Sequence, residues 1–143
     1  NLLYQALDEK LLQMCYRHEN YLFSHAGISK TWYINSFGHP YYQTDIEKEV
    51  NELFVNYPEA FRFTPGNRHN SYGDEVCQTP IWIRPNSLFA DTIDLMQIVG
   101  HTTQSEIIVS PIILIDTLGT SGEYLLIDGK NISVKAHTNQ TKQ

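Results

Sequence analysis

The sequence predicts an α/β fold, a mixed sheet with flanking helices, on three observations. A helix signal stands at residues 44–57, where Thr44 and Glu47 make a T-x-x-E capping pattern ahead of an apolar stripe. Several short apolar runs bounded by Gly, Pro, Ser and Asn are strand-sized. The dipeptide Asp128-Gly129, between two apolar runs near the C-terminus, is a strong hairpin signal.

Leu3, Leu7, Leu11, Met14 and Cys15 fall on one helical face and predict an opening helix to about Tyr16. The chain starts at Asn1, inside or just before that helix and with no leader, which points to a fragment. Tyr21-Leu22-Phe23 reads as a short buried strand. Residues 29–42, rich in aromatics with Gly38 and Pro40, read as an irregular excursion. Ile46, Val50, Leu53, Phe54 and Tyr57 form the apolar stripe of the capped helix, and Pro58 stops it. Residues 64–73 are loop-like. Strands are then expected at 80–83, 97–99, 106–109, 112–115, 124–127 and 132–135. The polar tail, residues 137–143, is expected to be disordered.

The bulk numbers narrow the function. The 143 residues, 41% hydrophobic and 18% charged, suffice for one domain that buries about two thirds of its unfolded surface. The net charge of −6 repels phosphate backbones, so a nucleic-acid groove is not expected. A phosphate-handling site would need a bound cation or a local arginine to reverse that field. No apolar run approaches the roughly 20 residues of a membrane span. Cys15 and Cys77, far apart in ordinary apolar context, are read as buried free thiols of a cytoplasmic protein.

Two histidines share a setting. His25 leaves an apolar strand and precedes Ala26-Gly27; His101 follows Ile98-Val99-Gly100. A rigid strand exit with small neighbours suits a metal ligand, because an imidazole needs a fixed orientation. Taken singly, either also fits a partly buried histidine held by a backbone carbonyl.

The string Leu22-Phe23-Ser24-His25-Ala26-Gly27-Ile28-Ser29 resembles the H-A-G or H-G-G segment of calcineurin-like metallophosphoesterases, the phosphoprotein phosphatase and diadenosine tetraphosphatase group. Ile98-Val99-Gly100-His101-Thr102 resembles their V-x-G-H-T, Ile81-Trp82-Ile83-Arg84 their W-x-R, and Ile115-Asp116-Thr117 the I-D-T that follows. These matches occur in the family's order.

The resemblance implies the C-terminal part of a four-layer αββα sandwich over residues 1–136, with residues 30–79 as an insertion that forms a lid or substrate wall. It implies that His25 and His101 bind one of two divalent ions (Mn, Fe or Zn) and that Arg84 contacts the substrate phosphate, a task suited to a planar guanidinium. The alternative for Arg84 is a surface ion pair or a helix-start residue before Pro85. Asp116 is expected to cap the turn after its strand, and Trp82 to be core.

The family's D-x-H, G-D-x-x-D-R-G and G-N-H-D/E motifs, which precede H-A-G, have no counterpart in these residues. Gly66-Asn67-Arg68-His69 and Gly73-Asp74-Glu75-Val76-Cys77 are look-alikes in the wrong order or with the wrong residues, and read as polar loops. Two neutral imidazoles cannot screen two cations about 3.5–4 Å apart. This chain alone is therefore expected to hold at most one metal, weakly, and not to hydrolyse phosphate esters. The implied partners are a phosphorylated protein or nucleotide substrate and a missing N-terminal segment of the same protein. Without that segment the strands at 81–83 and 112–115 should lack cover and the fragment should self-associate. A non-catalytic interaction domain derived from the same fold is the other reading.

Overall fold

The computed structural model describes residues 5, 6, 9, 11–64 and 74–136. A four-stranded mixed sheet has the order β1 (Cys15–His18), β2 (Tyr21–Ser24), β3 (Met96–Val99), β4 (Ile112–Leu114). β1 and β2 are antiparallel; β2 with β3, and β3 with β4, are parallel. A separate antiparallel ribbon, β5 (Tyr124–Asp128) and β6 (Asn131–Lys135), turns where Gly129 takes φ +57°, a conformation glycine adopts without steric cost. Among its described residues the long β2–β3 crossover carries the helices α1 (Lys30–Phe37), α2 (Ile46–Asn56) and α3 (Pro85–Ala90).

Strand alternation sends successive side chains to opposite faces. On one face, Tyr21, Ile98 and Ile113 pack with Ile107 and are covered by Leu125, Ile127 and Ile132 of the ribbon. On the other, Leu22 joins Ile28, Trp32, Tyr33, Ile46, Val50 and Phe61 from the crossover, while Val99, Ile112 and Leu114 pack with Ile83 and Leu88. The order is helices, sheet, ribbon. The expected α/β class with a mixed sheet and flanking helices is what the chain adopts.

Gln97 is a polar residue within this apolar layer and is fully buried. Its side-chain oxygen accepts from Ile28 N at 2.7 Å, and its amide nitrogen donates to Ile28 O at 2.9 Å and to Thr92 Oγ1 at 3.0 Å. It thereby satisfies backbone groups that the loop after β2 cannot pair for itself.

Several expectations need correction. The opening helix does not reach Tyr16: residues 15–18 are strand β1, and Leu11 and Leu12 are exposed, while Leu3 and Leu7 lie outside the described residues. The strand wins because β2 pairs one edge and α2 caps the other. Asn51 Oδ1 accepts from Met14 N and Cys15 N at 2.8 and 3.2 Å, its Nδ2 donates to Cys15 O at 2.9 Å, and Glu47 Oε2 accepts from Arg17 N at 2.9 Å. Both halves of the expected capping box are thus engaged elsewhere, since Thr44 Oγ1 donates to Glu49 Oε2 at 2.8 Å. The cap of α2 is Asp45, whose carboxylate accepts from Lys48 N at 3.3 Å.

Residues 29–42 are not irregular. Ser29 caps α1 by accepting from Trp32 N at 3.0 Å, and Gly38 closes it at φ +75°. Residues 80–83 form a turn rather than a strand, with Trp82 N donating to Thr79 O at 2.9 Å ahead of Pro85 and α3. Residues 106–109 make only a bridge between Ile108 and Leu114.

Of the residues expected to lack cover, Ile83, Ile112, Ile113 and Leu114 are buried within the chain, whereas Trp82 is exposed. For the four buried residues the premise of exposed strands falls. The described part of 30–79 contributes to the core through Trp32, Tyr33, Ile46, Val50 and Phe61. Cys15 is buried and Cys77 half-buried, both free; burial pushes the Cys15 thiol up to about 12. No helix among the described residues is long and apolar enough to cross a membrane. The tail at 137–143 and the look-alike at 66–69 lie outside the described residues.

Candidate functional site

The site stands at the carboxyl ends of the parallel strands β2 and β3, where open α/β sheets place their ligands. Ser24 and Val99, the last residues of the two strands, are register partners. The ladder continues one step further, Gly100 N donating to His25 O at 2.9 Å, while Ala26 N donates to Pro80 O at 2.8 Å. His25 is therefore held from both sides.

His101 follows in a tight turn. Thr102 N donates to Gly100 O at 2.7 Å across a residue with φ +64°. This is a γ-turn of the strained hand, rare for a side chain with a Cβ. The ring lies against that of His25, which follows β2. His25 Nε2 and His101 Nδ1 lie 3.0 Å apart, one ring donating to the other according to tautomer, with centroids 4.8 Å apart at 66°.

Burial, with Arg84 and His25 adding to it, holds the His101 imidazole below its ordinary value of 6.5, so the neutral form prevails at neutral pH. Asp116 and the Trp82 backbone act in the opposite direction as the smaller causes, and Nε2 is buried with no partner at hydrogen-bond geometry. Arg84 sits at the start of α3 and donates from Nη1 to Thr102 Oγ1 at 3.3 Å, next to His101 in the chain. Asp116 does what a turn residue does: Oδ2 accepts from Thr103 Oγ1 at 3.4 Å and its carbonyl accepts from Gln104 N at 2.8 Å.

Gly27 ties the loop to the helix layer. At φ +112°, a Cβ there would meet Leu88 Cδ2 at 2.3 Å and Cδ1 at 2.8 Å, and Leu88 is buried. Gly27→Ala is expected to cost about 2–3 kcal/mol, from strain plus overpacking. A urea midpoint equal to wild type would refute this.

The structure thus brings together His25 and His101 and sets Arg84 beside them. Asp74 serves the scaffold, its carboxylate accepting from Ser87 N at 3.0 Å and Asn86 Nδ2 at 3.3 Å at the start of α3. Trp82 corrects the sequence reading. It is not core but 39% exposed, with its ring 6.1 Å from that of His101 at 87°. Phe63, which the sequence did not single out, lies 5.5 Å beyond it at 83°. No local signal marked Phe63, because its place depends on a contact across the fold.

The two imidazole nitrogens share one hydrogen bond, and among the described residues no group of three or more His, Cys, Asp or Glu stands together to hold a metal ion.

The fold has a counterpart among solved structures. The chain is similar to the crystal structure of a cold-active protein-tyrosine phosphatase of the psychrophile Shewanella sp., with a TM-score of 0.56 and 17% identity. The likeness covers 87% of this chain and 40% of that one, so the chain spans well under half of the length of its structural neighbour. At that identity the likeness shows the α/β fold alone. No family model and no curated protein matches the chain.

Proposed function

We propose that this chain is part of a metal-dependent phosphoesterase in which His25 and His101 hold one divalent cation and Arg84 binds the substrate phosphate. The observation that carries the reading is the convergence of His25 Nε2 and His101 Nδ1, from strands far apart in sequence, to 3.0 Å at the sheet's carboxyl edge. The fold likeness to a protein named as a phosphatase supports phosphoester hydrolysis at a coarse level.

A cation bound there would polarise a phosphoryl oxygen and acidify its bound water. The chain's own residues do the rest. His101, kept neutral by burial, presents a lone pair rather than a competing proton at neutral pH. The γ-turn fixes that lone pair in direction. Arg84 offers paired N–H groups to two phosphate oxygens, and its positive charge offsets a chain of net charge −6 that otherwise repels the substrate. The remaining donors to the cation, and any carboxylate bridging to a second one, would come from outside the described residues. An upstream segment of the same protein is the proposed source.

The test uses protein expressed from the complete reading frame. It is expected to turn over p-nitrophenyl phosphate, to lose that activity with a chelator, and to regain it with added manganese, iron or zinc. Turnover that survives complete removal of divalent metal would end the proposal.

A further inference from the structure

Two large aromatic side chains stand at the rim of the histidine pair without being buried. Trp82 and Phe63 are each 39% exposed. Phe63 meets Trp82 edge to face, and Trp82 meets His101 in the same manner, so the rings run outward from the site as a continuous edge.

The edge is built, not incidental. Trp82 comes from the turn before α3, whereas Phe63 leaves the 3-10 turn Pro58–Phe61. Fully buried Gln78 joins the two segments, accepting from Thr64 N at 3.2 Å and donating to Thr64 O at 2.5 Å. Thr79 Oγ1 donates to Phe61 O at 3.0 Å and closes the same junction. Aromatic residues held at the surface by buried polar bonds retain free faces for a ligand.

We propose that Trp82 and Phe63 bind a flat aromatic leaving group, which makes aryl phosphomonoesters the preferred substrates. This rests on the phosphoesterase reading above. With the phosphate at Arg84 and the histidine pair, one bridging oxygen separates phosphorus from an aryl ring. So short a link keeps the aryl ring near the phosphate, on the side where the Trp82 ring lies 6.1 Å from that of His101, and aromatic pairs favour centroid spacings of about 4.5–7 Å. A seryl group offers no ring face, and a nucleoside interposes its ribose. In the reaction a water oxygen bonds to phosphorus as the P–O bond to the aryl oxygen breaks. One water proton ends on the phenol, and the other stays with the phosphate or passes to solvent.

The experiment uses the complete protein and two peptides that differ only in phosphotyrosine against phosphoserine. Phenols leave more readily than alkanols, so the informative quantity is the change in the kcat/KM ratio on substitution. Trp82→Leu is expected to lower the phosphotyrosine-to-phosphoserine ratio about tenfold and Phe63→Ala severalfold, mostly through KM, with Trp82→Phe keeping most of it. Phenylphosphonate should inhibit the wild type about tenfold more tightly than methylphosphonate, a comparison that needs no variant to fold. A ratio unchanged in both variants, or equal inhibition by the two phosphonates, overturns the inference alone. Absence of turnover of either peptide by the wild type overturns the phosphoesterase reading and this inference with it.

Discussion

Replacing His25 or His101 by alanine in the complete protein is expected to lower phosphoester turnover on the order of a thousandfold or more, with loss of bound metal. A metal ion contributes several kcal/mol of charge stabilisation in the transition state, and about 1.4 kcal/mol corresponds to tenfold in rate. Each variant removes one of the two nitrogens that converge to 3.0 Å, and no third donor group among the described residues stands ready to replace it. The effect on stability should be small for His25, which is exposed. His101→Ala leaves the strained backbone at φ +64° in place while removing the ring, so it separates the ligand's role from the turn's. Elemental analysis beside the rate measurement decides the matter. A variant that keeps its metal and its rate takes that histidine out of the site.

The second large effect is on stability. Gln97→Leu is expected to destabilise the fold by about 3–5 kcal/mol. Leucine conserves the volume but leaves Ile28 N–H and C=O without partners, and each stranded buried group costs about 1–3 kcal/mol. Ile28 lies three residues from His25, so the loop that carries the histidine loses its anchor to β3. Activity should therefore fall further than the unfolded fraction accounts for. Urea denaturation read together with kcat gives both numbers. A midpoint within experimental error of wild type would show that the loop repairs its hydrogen bonds in another way.

Local chemistry made a good part of this legible in advance. The apolar stripe of α2, the runs that become β2, β3 and β4, and the Asp128-Gly129 hairpin all obey short-range rules: a helical period, strand-length burial, and glycine at positive φ. The failures have a common cause. Cys15 ends a helical apolar stripe yet opens a strand, because Asn51 and Glu47, thirty or more residues downstream, supply partners for the backbone of residues 14–17. Residues 80–83 look like a strand but turn, because the chain must enter α3. The signal for α1 was present in Ser29 and Gly38, a capping serine and a closing glycine, and was masked by the aromatics between them.

The candidate site divides along the same line. By itself the sequence nominated candidates: two histidines at strand exits, set in an acidic chain, and, through a family resemblance, an arginine ahead of a proline. Only the tertiary structure decided that the two histidines meet, since that follows from β2 and β3 lying side by side in parallel with Ser24 opposite Val99. It also decided that Trp82 faces outward beside them with Phe63. The physical reason is range. A side chain's identity and its local period act over a few residues, whereas the convergence of groups 76 positions apart is set by strand register and by the packing that holds it.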